Sequence, residues 1–277
     1  MTDRYAVIGH PVAHSLSPWI HTAFARQTAE PVLYERIEAP LDGFVATVSG
    51  FLEGGGRGCN VTVPFKGEAA HWVTELDPQA EFAAAVNTIV PLPGGGYRGY
   101  NTDGPGLVKD LQRSIGGRAR CRVLLLGAGG AARGVARPLV ESIAGELVIG
   151  NRTATRAQAL AARIAAVSPV AVAAIALEDL TGPFDLVINA TSAGLRDQVP
   201  EIDPSVVRGA LCYDMVYASE KGRATAFCHW SLAAGAAGIS DGLGMLVEQA
   251  ALAFELWRGV LPDSEAVLGE LRREFGG

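Results

Sequence analysis

The chain has 277 residues, enough for two domains of ordinary size. Apolar residues make up 49% and charged residues 19%, a profile that excludes a disordered chain. The formal net charge of −6 argues against a nucleic-acid partner, since duplex binding shows a basic face, but it leaves a small anionic substrate open.

The N-terminus runs from Met-Thr-Asp-Arg straight into the apolar run Tyr5–Ile8, with no basic segment ahead of an apolar one, so no signal peptide is expected. The uncharged stretch 164–177 is too short to span a bilayer, which argues against a membrane partner. The four cysteines form no C-x-x-C pair and read as buried thiols of a cytoplasmic protein.

In chain order, strands are expected at 5–8, 33–37, 59–63, 87–90, 122–126, 146–149, 185–189 and 211–215, with helical patterns between most of them. Such alternation predicts an α/β protein with parallel sheets and crossover helices. One boundary is expected near 104, where Gly99-Tyr100-Asn101-Thr102-Asp103 precedes a helix over 106–115, the loop Gly116-Gly117 and a fresh strand. A second is expected near Ser240, after which Leu243, Leu246, Val247, Ala250, Phe254 and Trp257 recur at the spacing of a core-facing helix. The predicted plan is residues 1–104 and 240–277 as a substrate-binding domain, with 105–239 inserted as a Rossmann-type dinucleotide domain. The C-terminal helix returns to the first domain.

The inserted part carries the more general signature. The apolar run 122–126 is followed at once by Gly127-Ala128-Gly129-Gly130-Ala131-Ala132 and then a helix, which is the G-x-G-x-x-G/A order in its strand–turn–helix setting. Gly127 allows the tight turn, Gly129 lets backbone approach a pyrophosphate, and Ala132 keeps helix and strand close; the helix N-terminus offers N–H groups to the phosphates. Pro138 is expected to kink or shorten that helix. After the next strand, where an NAD site has an acid on the ribose, stand Asn151, Arg152, Thr153 and, one turn on, Arg156. A carboxylate repels a 2′-phosphate and two guanidinium groups grip it, so the expected cofactor is NADP. Thr191, in Asn189-Ala190-Thr191-Ser192, lies at a strand's carboxyl end, where ligands bind in open sheets.

The first part carries the more specific signature. Ser17-Pro18 reads as a helix start with Ser17 as N-cap, and with Ser15 it offers two hydroxyls at a helix N-terminus, a neutral carboxylate site. Asn60-Val61-Thr62-Val63-Pro64-Phe65-Lys66, Ala85-Val86-Asn87-Thr88 and Asn101-Thr102-Asp103 place donors and acceptors at strand ends and loops, as a polyhydroxylated substrate requires. Any one of them could be a turn former, and Asp103 could cap the helix after it.

Together these pieces resemble the shikimate dehydrogenase family. H-S-L-S-P at 14–18, N-V-T-V-P-F-K at 60–66, A-V-N-T at 85–88, N-T-D-G at 101–104, G-A-G-G-A at 127–131, N-R-T at 151–153, N-A-T-S at 189–192, Y-D-M-V-Y at 213–217 and D-G-L-G-M-L-V-E-Q-A at 241–250 follow the family's order. The resemblance implies reversible NADP-linked oxidation of the C3 hydroxyl of shikimate to 3-dehydroshikimate. It implies that Ser15 and Ser17 hold the carboxylate, and that Asn60, Thr62, Asn87 and Gln249, helped by Tyr217, hold the ring hydroxyls. Lys66 and Asp103 are then the catalytic pair. Gly127, Ala128, Gly129, Gly130, Ala131, Asn151, Arg152, Thr153, Arg156, Thr191, Met215 and Gly242 meet the cofactor, and no metal is implied. Many members carry Pro two residues after the tyrosine matching Tyr217, where this chain has Ser219, and its 218–223 segment reads as slightly long.

An ammonium at Lys66 can donate a proton to a developing alkoxide. An ordinary lysine is a poor base near neutral pH, so the oxidative direction leaves open which member of the pair takes the proton. Two other readings stand beside this one: a broader quinate/shikimate dehydrogenase, against which Ser17, Arg152 and Arg156 count, and a non-catalytic NADP-binding sensor, against which Lys66 and Asp103 count. The sequence leaves monomer and homodimer both open.

Overall fold

In a computed structural model, residues 2–116, 120–196, 198–218 and 223–275 are described. Gly117, Ser219 and the remainder of the 219–222 segment lie outside them. The described residues of Met1–Gly106 and Leu246–Leu271 form one compact unit, and those of Leu107–Met245 and Arg272–Gly277 a second.

The first unit begins β1 (Asp3–Gly9), α1 (Ser17–Thr28), β2 (Val32–Glu38), α2 (Phe44–Glu53), β3 (Gly56–Val61) and α3 (Lys66–Trp72). It continues with β4 (Glu75–Leu76), α4 (Pro78–Ala83), β5 (Thr88–Pro91), β6 (Tyr97–Tyr100) and the start of α5 (Asp103–Ser114). Its sheet has the order β2-β1-β3-β5-β6-β4. The pairs β1–β2, β1–β3 and β4–β6 are parallel, and β3–β5 and β5–β6 antiparallel. The continuous apolar run of β1 has a physical reason. Ala6 and Ile8 pack with Phe44, Val48 and Val61, while Tyr5 and Val7 pack with Val12, Tyr34 and Trp257, so both faces of the strand are covered.

The second unit holds β7 (Cys121–Leu126), α6 (Gly130–Ser142), β8 (Ala144–Gly150), α7 (Ala154–Ala165), β9 (Ala171–Ile175), β10 (Leu186–Asn189), β11 (Leu211–Asp214), α8 (Ala226–Ala233) and β12 (Gly238–Ser240). Its sheet has the order β12-β11-β10-β7-β8-β9, and every pair is parallel. This is the doubly wound order, whose switch point lies between β7 and β10. The chain then enters α9 (Leu243–Arg258) and α10 (Ser264–Phe275), most of whose residues belong to the first unit.

The two compact units divide inside α5 and α9, each helix starting in one unit and ending in the other, where the sequence places the bounds near 104 and 240; the residues from Arg272 on go with the second unit. The expected helix cap at Ser17 is corrected. Ser17 is the first residue of α1 and Leu16 its cap, with no capping side chain. Pro138 lies inside α6 and the helix runs on to Ser142. The strands β4, β9 and β12 are not legible in the sequence: β4 has two residues, and the Ala-Val-Ala-Ala-Ile of β9 reads as well for helix as for strand. No described helix is long and apolar enough to cross a membrane.

Candidate active site

In the first unit the chain after β1 turns back so that Ser15 N–H donates to Val12 O at 3.0 Å, and Ser15 and Ser17 then sit at the start of α1. Ser15 Oγ donates to Ser17 Oγ at 3.2 Å and accepts from the Ser17 N–H at 3.3 Å. Arg36 on β2 fixes this loop by donating from Nε and Nη2 to Ser15 O at 2.9 and 2.6 Å. Two neutral hydroxyls beside a helix N-terminus, with a guanidinium behind them, can receive a carboxylate. Gly9 lets Thr62 approach, since a Cβ there would lie 2.3 Å from Thr62 Cγ2.

Asn60 is buried at the end of β3 with its amide fully oriented. Its Oδ1 accepts from Tyr34 Oη at 2.7 Å, and its Nδ2 donates to Asn87 O at 3.1 Å and Thr88 Oγ1 at 3.0 Å. One lone pair of Oδ1 remains for a further donor. Tyr34 is stacked on the buried ring of His21 at 4.1 Å, and burial pushes His21 down to about 3.

Asn87 is the hub. Its Oδ1 accepts from the Thr102 N–H at 2.9 Å, and its Nδ2 lies 2.9 Å from both Thr102 Oγ1 and Asp103 Oδ1 and 3.3 Å from Gln249 Oε1. The other carboxylate oxygen of Asp103, Oδ2, accepts from Lys66 Nζ at 2.6 Å. Lys66 opens α3 and Asp103 opens α5, so two helix starts bring the ion pair together. Lys66 is 29% exposed and Asp103 11%, so the ammonium is the more accessible member. Gln249 reaches the cluster because Gly106 on α5 has no side chain: a Cβ there would lie 2.7 Å from Gln249 N. Its own amide is held by donation from Nε2 to Leu246 O at 2.7 Å.

In the second unit Gly127 follows β7 with φ of +107°, and a Cβ there would lie 3.0 Å from Ala190 O after β10. The turn therefore needs glycine for both conformation and space. At Gly129, the cap of α6, an added Cβ meets nothing within 4 Å, and no side chain caps the helix. This open cradle at a helix N-terminus fits a pyrophosphate. Beside it lies a cavity of about 450 Å³ lined by Ala128, Gly129, Arg133, Arg156, Leu160 and Arg163. Burial holds the Arg133 guanidinium below its ordinary value, and repulsion from Arg163 and Arg156 adds to this. A phosphorylated ribose suits such a wall.

Of the other expected cofactor residues, Gly130 and Ala131 open α6, and Thr153 caps α7. Asn151 Nδ2 donates to Thr153 O at 2.9 Å, which shapes that turn. Arg152 is exposed and does not line the cavity. Thr191 Oγ1 donates to Asn189 Oδ1 at 2.7 Å, and Asn189 Nδ2 donates to Asp214 Oδ1 at 3.1 Å. Gly242 and Met215 are brought together, since a Cβ on Gly242 would lie 2.5 Å from Met215 O. Tyr217 is half-buried in the second unit, while every other expected substrate residue belongs to the first.

Sequence patterns do not single out Tyr34, Arg36, Arg133 or Arg163. Tyr34 and Arg36 act on residues far away in the chain, which no local pattern shows. Arg133 directly follows the glycine-rich turn, and Arg163 lies seven residues, two helical turns, beyond Arg156 on the same face, so both leave a signal.

Family models match along the chain: the shikimate dehydrogenase substrate binding domain over residues 7–89, shikimate / quinate 5-dehydrogenase over 110–196, and the shikimate 5'-dehydrogenase C-terminal domain over 242–272. The shikimate dehydrogenase (NADP(+)) of Photobacterium profundum is 50% identical over 273 residues, 98% of either chain. The chain belongs to the shikimate dehydrogenase family. Among solved structures of similar shape, an Ael1 enzyme from Pseudomonas putida has a TM-score of 0.89 at 41% identity, with 98% of each chain covered. The shikimate 5-dehydrogenase of Thermus thermophilus, solved in complex with NADP(H) and shikimate, has a TM-score of 0.84 at 35% identity, covering 98% of this chain and 99% of that one. The same two-part α/β architecture therefore recurs in a shikimate dehydrogenase.

Proposed function

We propose that the chain interconverts 3-dehydroshikimate and shikimate with NADP, and that Lys66 and Asp103 handle the proton at the C3 oxygen. The observation that carries the residue assignment is the 2.6 Å contact between Lys66 Nζ and Asp103 Oδ2 beside the Asn87, Thr102 and Gln249 network. The first unit is the substrate-binding domain and the second the cofactor domain. When bound, NADP supplies the hydride donor or acceptor. The glycine-rich turn and the α6 N-terminus hold its pyrophosphate, and Asn151, Arg152, Thr153 and Arg156 serve its 2′-phosphate end. Thr191, Met215 and Gly242 border the same ligand.

Ser15 and Ser17 bind the substrate carboxylate. Asn60 accepts from a ring hydroxyl through its remaining Oδ1 lone pair, and Thr62, Gln249 and Tyr217 add further contacts. Asn87 is engaged at both ends of its amide, so a substrate hydroxyl joins that network by replacing its longest bond, the 3.3 Å one to Gln249. In the reductive direction Lys66 donates from Nζ to the alkoxide forming at C3, with Asp103 orienting the amine. In the oxidative direction the pair takes that proton back as a unit. Four free, buried cysteines support work in the cytoplasm.

The test follows reduced-cofactor absorbance with purified protein, pairing shikimate or quinate with NADP⁺ or NAD⁺. Fastest turnover is expected for shikimate with NADP⁺. Faster turnover of quinate with NAD⁺ would favour the broader dehydrogenase, and NADPH binding without shikimate oxidation would favour the sensor.

A further inference from the structure

We propose that Arg163 and Arg133 form the back wall of the 2′-phosphate pocket, so that preference for NADP is set by guanidinium groups from two helices rather than by Arg152 and Arg156 alone. The inference rests on the reading that this turn holds the 2′-phosphate end of NADP. Arg156, Leu160 and Arg163 lie at positions i, i+4 and i+7 of α7 and line one cavity, while Arg133 comes to the same cavity from the first turn of α6. Arg152, by contrast, does not line it.

Arg156 and Arg163 start about 10 Å apart along the helix axis. Helical side chains lean toward the N-terminus, so a long arginine at 163 serves the space above Arg156 rather than the last turn of its own helix. Three like charges around one cavity repel one another, and that repulsion is what a compact dianion relieves. The 2′-hydroxyl of NAD relieves none of it. The partly buried Arg133 also feels both neighbours, which weakens its hold on its own proton and so raises the value of an incoming anion. Arg156 and Arg163 are exposed, and yet both line, with Arg133, one cavity that begins at the phosphate turn.

The experiment is calorimetric binding of adenosine 2′,5′-bisphosphate and of AMP to wild type, Arg163→Gln, Arg163→Lys and Arg156→Gln. Position 163 is exposed near the end of α7, so the fold tolerates the change. Arg163→Gln is expected to weaken the bisphosphate about tenfold while AMP changes by less than about twofold, and Arg163→Lys to recover most of the loss. Loss of the bisphosphate preference in Arg156→Gln but not in Arg163→Gln overturns this inference and leaves the NADP reading standing. Retention of the preference in both variants also overturns the inference and leaves the NADP reading standing, whereas a wild type that binds the two ligands equally overturns that reading as well. Equal weakening of both ligands by Arg163→Gln also overturns the inference, because it marks a change in the cavity rather than in phosphate recognition.

Discussion

In the first unit Lys66, Asp103, Asn87, Thr102, Gln249 and Asn60 are tied into one network of hydrogen bonds, mostly buried. In the second, Arg133, Arg156 and Arg163 converge on a cavity of about 450 Å³. The difference fits what each region is proposed to recognise. A ring with several hydroxyls differs from its isomers only in where its donors and acceptors point, so the amides that read it must be locked. A phosphate is distinguished from a hydroxyl by charge, which acts over distance and tolerates a looser arrangement. Substitutions in the network should therefore alter the fold and the chemistry together, and substitutions in the cavity should alter one ligand's affinity and little else.

The largest expected effect that tests this contrast is on chemistry. Lys66→Met should lower turnover by about 10²–10⁴-fold while shikimate affinity, measured by calorimetry, stays close to wild type. Near-normal turnover would remove Lys66 from proton transfer and leave the network a purely structural device.

Next is a pH effect on stability. His21 sits against Tyr34, Phe24, Phe254 and Trp257, and burial pushes it down to about 3 from an ordinary 6.5. The folded ring stays neutral where the unfolded one takes a proton. Its contribution is therefore full above about 6.5 and is lost as pH falls toward about 3, at roughly 1.4 kcal/mol per pH unit. Urea unfolding at several pH values should give a shallower acid slope for His21→Phe, which keeps a flat ring on Tyr34. An unchanged slope would show that burial of this ring is not what weakens the fold in acid.

Tyr34→Phe removes the donor to Asn60 Oδ1. It should cost about 1–3 kcal/mol by denaturant midpoint and raise KM for shikimate more than it lowers kcat, with NADP affinity unchanged. A stability loss without the KM change would break the link between network and recognition. The smallest effect is that of salt. Raising ionic strength should increase KM for NADP several-fold through screening, while KM for shikimate, whose carboxylate is assigned to two neutral hydroxyls, should move by less than about twofold. Equal salt dependence of the two constants would erase the distinction between a charge-reading region and a shape-reading one.

The sequence is most legible where function is written locally. Gly127 to Ala132 occupy the strand–turn–helix their spacing implies, because a tight turn with φ of +107° and close backbone approach at Gly127 admits little else. The parallel sheet is legible for a similar reason, since β7, β8 and β10 are short runs buried on both faces. The polar clusters are visible as clusters, but their wiring is not. Nothing near Asn60 announces Tyr34, 26 positions away, and nothing near Ser15 announces Arg36. Ser17 reads as a cap because Ser before Pro has that role so often, whereas here its hydroxyl faces Ser15. Arg163 lies outside the local motif, two helical turns beyond Arg156, and only the shared helix face points to it.

Gly106 shows how far the wiring reaches. It has no reactive group, and yet the backbone of Gln249 occupies the space where its side chain would be. In a saturation mutagenesis screen scored on shikimate use, position 106 should therefore rank with the ligand contacts, and alanine should do nearly as much harm there as a larger residue. An inventory of chemical groups would overlook it, since its contribution to specificity is an omission: one atom left out of one helix so that an amide on another can be in place.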